Sequence, residues 1–203
     1  MKGIETVRLL LRGFTVEDAE ALADLHGELR VMRYIDDGRP VPRTVSVQRT
    51  LPGILEQYAH LPAGLGKLAL IEKASDRFVG WVGLGPVSSV GLDSSVGLDG
   101  GAPSYELGYR LLPEFWRRGY ASEAARALVG FAFATHGVPR IVATTMAVNV
   151  GSRRVLENAG LRYVRTFFEQ WPEYIEGAEH GDVEYALARE DWLASSGRDQ
   201  DQG

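Results

Sequence analysis

The stretch from Ser104 to Phe133 reads SYELGYRLLPEFWRRGYASEAARALVGFAF and determines how we interpret the rest of the chain. Its first part alternates in a way typical of a strand, with Tyr105 and Tyr109 on one face and Glu106 on the other. Pro113 ends that pattern, a basic turn containing glycine follows, and apolar residues then recur at helical spacing. The stretch therefore predicts a strand, a glycine turn and a helix.

The turn Arg117-Arg118-Gly119 is a candidate phosphate site. The first N–H groups of a helix have no acceptor within the helix, and its positive end attracts anions. The arginines add positive charge, and glycine lets the backbone approach a ligand closely. The turn lacks both the Gly-Lys-Ser/Thr of nucleoside triphosphate loops and the spaced glycines of dinucleotide sites. From these residues alone, a phosphate site and an ordinary turn both remain open.

The composition is that of an ordinary soluble protein. With 203 residues, 45% hydrophobic and 24% charged, the chain predicts a single domain over residues 1–194 and a disordered polar tail over 195–203. The absence of cysteine excludes disulfides, thiolate metal sites and a cysteine nucleophile, and the four histidines show no metal-ligand spacing. The net charge of −5 argues against nonspecific binding of nucleic acid.

The sequence also bears on location. No apolar run approaches the length that a membrane span requires, so we expect no contact with a membrane. The first residues, MKGIETVRLLLR, carry charges where a signal peptide has its apolar core. A cytoplasmic location is therefore expected.

The other segments predict strands and helices around the central stretch. Thr15 and Asp18 have the spacing of a capping box at the start of a helix, and Asn149 can cap another. A further helix over Thr44–Tyr58 is weakened or split by Pro52-Gly53. The predicted strands are 7–11, 67–72, 78–84, 141–146, 161–169 and 183–188, and the last predicted helix is 150–158. This order predicts an α/β (α+β) fold with a mixed sheet and one parallel pair, formed across the strand–helix–strand crossover.

Residues 88–99 contain the hexamer Ser-Ser-Val-Gly-Leu-Asp twice in succession. A short identical repeat rich in glycine and serine favours a recent duplication inside a permissive loop over a functional module. We therefore expect residues 87–103 to form a flexible loop.

Two segments resemble the signature motifs of the GNAT superfamily of acyltransferases. Pro113 to Ala121 is similar to the loop Pro-Glu-x-Trp-x-x-Gly-Tyr-Ala of the ribosomal-protein N-acetyltransferase branch, with Trp116 where the wider family has Arg or Gln. Asn149 to Leu161 is similar to the motif Asn-x-x-Ser/Ala-x-x-x-x-Glu-x-x-Gly-Phe/Leu. The segments occur in the family's order, separated by one helix and one strand. The resemblance implies a mostly antiparallel twisted sheet with helices on both faces and a splayed central strand pair.

The resemblance further implies direct transfer of an acetyl group from acetyl-CoA to a primary amine, through a tetrahedral intermediate and without a metal. The amine belongs to a protein N-terminus or to a small molecule, held by the early helices and the loop around Trp171. A monomer and a homodimer are both compatible with the sequence. The residues implied for acetyl-CoA binding are Leu111, Leu112, Arg117, Arg118, Gly119, Tyr120, Ala121, Ser122, Asn149 and Arg154.

Two residues are candidates for proton transfer. Glu106 lies on the central strand and is a candidate base, although a carboxylate paired with Lys or Arg of a neighbouring strand fits the sequence equally well. Many family members have a tyrosine as acid where this chain has Leu156, so Ser152 becomes the candidate donor to the leaving thiolate. The alternatives are that Ser152 only caps its helix, and that the protein is an inactive acyl-CoA-binding or sensor module.

Overall fold

The computed structural model of the protein describes residues 3–87, 103–168 and 174–198. The duplicated hexamer at 88–99 and Trp171 lie outside these ranges. The described strands are Ile4–Glu5 (β1), Leu9–Gly13 (β2), Gly66–Glu72 (β3), Arg77–Pro86 (β4), Ser104–Leu111 (β5), Arg140–Met146 (β6), Arg162–Phe167 (β7) and Asp182–Ala188 (β8).

The described strands form one sheet in the order β1-β2-β3-β4-β5-β6-β8-β7. Among them, β5 and β6 are the parallel pair, and the other neighbouring strands are antiparallel. This confirms the predicted mixed, mostly antiparallel sheet. The first long strand begins at Leu9 and not at Val7, because Thr6 donates its N–H to the Leu9 carbonyl over 2.9 Å and forms a tight turn. Val7 is left 90% exposed at that turn.

Seven α-helices lie in the described ranges: Ala19–Gly27 (α1), Leu29–Met32 (α2), Arg43–Val45 (α3), Leu51–Gln57 (α4), Tyr120–Thr135 (α5), Val150–Asn158 (α6) and Arg189–Arg198 (α7). The predicted capping box is present before α1, where Thr15 N–H donates to Asp18 Oδ2 at 2.8 Å. Helix α7 extends to Arg198, into the segment that was expected to be disordered, and residues 199–203 lie outside the described ranges. Of the described helices, none is both long enough and apolar enough to cross a bilayer.

The second predicted helix is continuous through Pro52. Helix α3, a π-helical turn at Ser46–Thr50 and α4 follow one another without a break. Proline has no N–H to donate and its ring crowds the preceding turn, and a widened π turn directly before it accommodates both effects. The sequence predicted that Pro52 would disturb the helix, but it did not predict the π-helical turn that keeps the helix continuous.

Helices cover both faces of the sheet, as predicted. On one face, α5 and α6 pack with Leu107 and Leu111 of β5 in the larger core cluster. On the other face, α1 and α4 pack with Ala69 and Trp81 of the adjoining strands. We call these the α5 face and the α1 face. Side chains of successive residues on β5 therefore alternate between two separate environments.

The central strands separate after a short paired segment. β5 and β6 are in register only at Ser104↔Arg140, Tyr105↔Ile141 and Glu106↔Val142, although both strands continue beyond these pairs. This confirms the predicted splay. We call the space between the unpaired parts of β5 and β6 the gap.

Candidate active site

The backbone of β5 alternates between its two neighbours. The Ser104 carbonyl accepts from Val87 N–H at 3.0 Å, and Leu112 N–H donates to the Val79 carbonyl at 2.9 Å, so even-numbered residues direct their polar groups to the β4 side. Because the polar groups of a strand alternate in direction, odd-numbered residues of β5 direct theirs towards β6. The N–H of Leu112, a residue implied for acetyl-CoA binding, is therefore already bonded to its neighbour.

Backbone groups of Tyr109 and Leu111 face the gap. Both residues follow Glu106, the last residue of β5 that is in register with β6. Trp116 donates its indole N–H to the Leu111 carbonyl at 2.6 Å and so satisfies that acceptor. The N–H and carbonyl of Tyr109 and the N–H of Leu111 remain directed at the gap. Strand backbone that is not paired in this way can hydrogen-bond to a ligand or to water.

The start of α5 supplies a second set of backbone donors. Gly119 caps the helix with φ of +79°, and Arg117 has φ of +59°. A left-handed conformation is uncommon for a residue other than glycine. The first intrahelical bond runs from Glu123 N–H to the Gly119 carbonyl at 3.0 Å. The N–H groups of Tyr120–Ser122 therefore have no acceptor within the helix, and the positive end of the helix dipole adds to them.

The N-terminal segment holds this turn in place. Arg8 donates from Nη1 to the Arg118 carbonyl at 2.8 Å, and its Nη2 lies 2.6 Å from Glu123 Oε2. The same guanidinium lies 4.4 Å above the Tyr120 ring, and the Tyr120 hydroxyl donates to Glu72. These contacts join β2 and β3 to the candidate phosphate turn. Sequence reasoning missed them, since Arg8 and Glu123 are 115 positions apart.

Helix α6 begins with the capping contact that the sequence predicted. Asn149 Oδ1 accepts from Ser152 N–H at 3.1 Å. Of the two adjacent arginines, Arg153 donates to the Tyr185 hydroxyl at 3.1 Å, whereas Arg154 is exposed. Arg154 is therefore the arginine of α6 that is free to reach a bound anion.

Tyr109 and Ser152 meet on the α5 face. The Tyr109 hydroxyl lies 2.8 Å from Ser152 Oγ and 2.9 Å from the Ser152 carbonyl. The tyrosine has one hydroxyl hydrogen. When Tyr109 donates that hydrogen to the Ser152 carbonyl, the Ser152 hydroxyl is the donor to the Tyr109 oxygen. Burial raises the pKa of Tyr109, so its hydroxyl is protonated at neutral pH. Sequence reasoning treated Tyr109 as a packing residue, because strand alternation indicates a face and not a contact.

Leu156 lies about one turn after Ser152 on α6, but it cannot replace the hydroxyl of either residue. Its side chain is 1% exposed within the core cluster of the α5 face. Leucine has no hydroxyl, so the position where many family members place a tyrosine has no proton to donate here.

Glu106 lies on the α1 face, opposite the Tyr109 side chain. It is in register with Gly85 of β4 and with Val142 of β6, at the edge of the gap. Burial raises the pKa of Glu106, and the charge of Lys67 opposes that shift. No ion pair joins Glu106 to a Lys or Arg of residues 3–87, 103–168 or 174–198. Within the described residues, Lys67 therefore acts on Glu106 through its charge and not through an ion pair.

Two other carboxylates, Glu157 and Glu184, accept hydrogen bonds from neighbouring side chains. Glu157 of the second motif accepts from the Tyr185 hydroxyl at 2.9 Å. Glu184 on β8 is buried, and its Oε2 accepts from Arg165 Nε at 2.7 Å. Both are held by other side chains. The described residues contain no group of three or more His, Cys, Asp or Glu side chains arranged to hold a metal.

A comparison with protein families identifies the chain. The family model described as "Acetyltransferase (GNAT) domain" matches residues 8–162. A curated protein of Aspergillus fumigatus, FsC-acetyl coenzyme A-N(2)-transacetylase, is 34% identical over 190 residues, which are 94% of this chain and 77% of that protein. The chain belongs to the GNAT acetyltransferase family. It is an acyltransferase that transfers an acetyl group to an amine.

Solved structures of GNAT proteins share its fold. The GNAT-family acetyltransferase of Bacillus anthracis is 25% identical, with a TM-score of 0.69 over 93% of this chain and 99% of that one. RimL, a ribosomal L7/L12 alpha-N-protein acetyltransferase solved in complex with coenzyme A, is 16% identical, with a TM-score of 0.70 over 92% of this chain and 97% of that one. At that identity the RimL likeness concerns the fold.

Gly119→Val is expected to weaken CoA binding about tenfold, or ~1.4 kcal/mol, since valine disfavours a positive φ and would crowd a phosphate beside the turn. Isothermal titration calorimetry with CoA measures the change. Gly137→Val is the matched control, because Gly137 follows the other end of α5, has φ of +61°, and has no atom within 4 Å of an added Cβ. Unchanged CoA affinity in folded Gly119→Val, or an equal loss in both variants, would contradict the assignment.

Proposed function

We propose that this GNAT protein transfers the acetyl group of acetyl-CoA directly to a primary amine through a tetrahedral intermediate, without an acyl-enzyme. The observation that carries the proposal is the gap between β5 and β6, which lies between a set of helix donors on one side and a half-buried carboxylate on the other. The relatives include a protein named FsC-acetyl coenzyme A-N(2)-transacetylase and a ribosomal L7/L12 alpha-N-protein acetyltransferase. We take the small-molecule amine as the first acceptor class to test, because the relative that is the more similar of these two in sequence has a name that specifies no protein acceptor.

The acetyl-CoA site combines the helix start and the gap. The N–H groups of Gly119 and of Tyr120–Ser122, with the side chains of Arg117 and Arg118, hold the pyrophosphate, and Arg154 adds a further exposed cation. In the gap, Tyr109 and Leu111 supply the backbone groups that pair with pantetheine. Leu112 does not donate its N–H to pantetheine, because that N–H is bonded to the Val79 carbonyl; Leu112 instead forms part of the wall of the site. Asn149 acts by capping α6 and thereby placing Ser152.

The acceptor enters from the α1 face, where Glu106 is the base. An amine with a pKa near ~10 is protonated at neutral pH, so it must lose a proton before it attacks. Burial raises the pKa of Glu106, which makes the carboxylate a better proton acceptor than an exposed glutamate. The amine nitrogen then bonds to the thioester carbon.

The intermediate collapses towards the α5 face. A backbone N–H directed into the gap stabilises the oxyanion of the tetrahedral intermediate. The carbon–sulfur bond then breaks, and the thiolate takes the proton of Ser152 Oγ. As the serine hydrogen turns to the sulfur, the Tyr109 hydroxyl turns from the Ser152 carbonyl to Ser152 Oγ, 2.8 Å away, and passes its proton there. Solvent then restores the proton of the tyrosine.

Release of CoA thiol from acetyl-CoA across a panel of amines tests the function. We expect release that depends on the amine, together with an acetylated product of the matching mass. Calorimetry with CoA distinguishes binding from turnover. Tight binding with no release for any amine would support the inactive binding module instead.

Glu106→Gln should lower kcat/KM about a hundredfold at neutral pH while CoA affinity persists. The loss should shrink as pH approaches the pKa of the amine, because solvent has then removed the proton already. In the wild type the raised pKa means that the carboxylate becomes protonated, and activity falls, at a higher pH than for an ordinary glutamate.

The control for this variant is Glu114→Gln. Glu114 is exposed and pairs with Arg77 at 2.7 Å, so its loss should leave the pH profile unchanged. A uniform loss at every pH in Glu106→Gln would assign that residue to binding or folding and not to proton transfer.

Ser152→Ala and Tyr109→Phe should each lower kcat about a hundredfold with little change in the Kd of CoA. If the two hydroxyls form one relay, the double variant should lose no more than the worse single variant. Tyr163→Phe is the control, since the exposed Tyr163 hydroxyl bonds only to Thr166 among the described residues. Losses under threefold in both single variants would show that water supplies the proton.

A further inference from the structure

Three glycines, Gly83, Gly85 and Gly108, lie on the α1 face near Glu106, and two of them leave open space above the sheet. Gly83 and Gly85 of β4 are in register with Gly108 and Glu106 of β5, so their Cα positions face the same side as the Glu106 carboxylate. A Cβ added to Gly85 would have no heavy atom within 4 Å, and one added to Gly108 would meet only Trp81 ring atoms at 3.5 Å. One added to Gly83 would instead lie 3.1 Å from Lys67 Cγ and 3.2 Å from Lys67 Cα. The sheet therefore leaves space for a side chain at Gly85 and Gly108, and Lys67 covers Gly83. We call the surface of the sheet at Gly85 and Gly108 the glycine floor.

Two cations border the glycine floor. Lys67 Nζ lies 5.0 Å from the centre of the Trp81 ring, and Arg110 Cζ lies 5.5 Å from it. Lys67 and Arg110 stand on the strands to either side of β4, on the same face as Trp81. Burial lowers the pKa of both basic side chains, which reflects the cost of holding their charges away from water.

The charges in this cluster are incompletely balanced. The Arg110 guanidinium is 3.7 Å from Asp36, a carboxylate that is 70% exposed, and Lys67 forms no ion pair with any described residue. Glu106 becomes neutral when it accepts the proton of the amine. At that moment both cations remain, with the exposed Asp36 as the nearby carboxylate. Buried charges are normally paired, so this arrangement favours a ligand that brings negative charge.

The Trp81 ring is fixed between these groups. Its indole N–H donates to His26 Nε2 at 3.4 Å. Burial lowers the pKa of His26 to about 3, so the imidazole is neutral and can accept this bond at physiological pH. His26 thus positions the ring on which both cations rest.

We propose that Lys67 and Arg110 bind an anionic oxygen group of the acceptor above the glycine floor, so that the preferred substrates are amines that also carry a carboxylate or a comparably acidic group. This inference rests on the proposed function. A protonated amine alone would be repelled by the two cations, whereas the negative group of a zwitterion offsets them and leaves its amine beside Glu106. Lys67 and Arg110 determine specificity and take no proton.

The test compares acceptors that differ only in charge. β-Alanine, its amide and propylamine form one series, and C-terminally amidated peptides beginning with Asp or Asn form a second. We expect kcat/KM to be about tenfold or more higher for the anionic member, mainly through KM. The series that shows this preference identifies whether the acidic group comes from a small molecule or from a peptide side chain.

Lys67→Met removes the charge and keeps the length of the side chain. It should reduce the preference for the anionic acceptor about tenfold, because the KM of the anionic amine rises while weaker repulsion raises kcat/KM for propylamine. The Kd of CoA should not change. Lys67→Arg should retain the preference. Lys73→Met is the matched control, since Lys73 is a surface lysine that pairs with Glu5 at 3.0 Å.

Three outcomes would overturn the inference. Equal acetylation of anionic and neutral amines by the wild type would reject it while the proposed function stands. A second outcome is that Lys67→Met lowers kcat equally for every acceptor and shifts the acidic side of the pH–rate profile. That result would show that Lys67 acts as the counter-ion of Glu106 and not on the acceptor. Absence of thiol release with any amine would reject the proposed function and this inference together.

Discussion

The early end of pairing between β5 and β6 is the constraint on which the rest of the site depends. Parallel strands pair through evenly spaced hydrogen bonds, and after Glu106↔Val142 those bonds have no partner strand. Buried backbone groups without partners are costly, so the protein satisfies some internally, as Trp116 does for the Leu111 carbonyl. The groups that remain are directed at one narrow space. A ligand with amide groups of its own can satisfy them.

Strand alternation then separates the chemistry into two compartments. Glu106 is even-numbered and lies on the α1 face, whereas Tyr109 is odd-numbered and lies on the α5 face against Ser152. In the proposed mechanism, proton removal from the acceptor and proton delivery to the leaving group therefore take place on opposite sides of the sheet. A single residue could not serve both steps without crossing it. This division also explains why the two hydroxyls and the carboxylate differ in their neighbours, with apolar core on one side and cations on the other.

Local signals made much of the fold predictable, whereas the long-range contacts could not be predicted from the sequence. The Asn149 cap, the left-handed Gly119 and the capping box before α1 each act within a few residues, so the sequence located them. The turn at Thr6 and the π turn before Pro52 are local as well, but no residue pattern specifies them. The hydrogen bond between Tyr109 and Ser152 depends on the packing of α6 against β5. The pair of cations on Trp81 depends on the register of separate strands. No spacing within one segment could have indicated either.

The proposed mechanism gives Leu156 no part in proton transfer, and its position in the core explains why. Leu156 is buried between α6 and the sheet, so a tyrosine there would have to direct its hydroxyl out of the core to reach the gap. In this chain the hydroxyl comes from the opposite wall, where Tyr109 projects from β5 to the first turn of α6. Asn149 fixes that turn by accepting from Ser152 N–H, which places Ser152 Oγ beside the tyrosine. In the proposed mechanism the leucine serves packing alone, because the proton path runs across the gap and not along the helix.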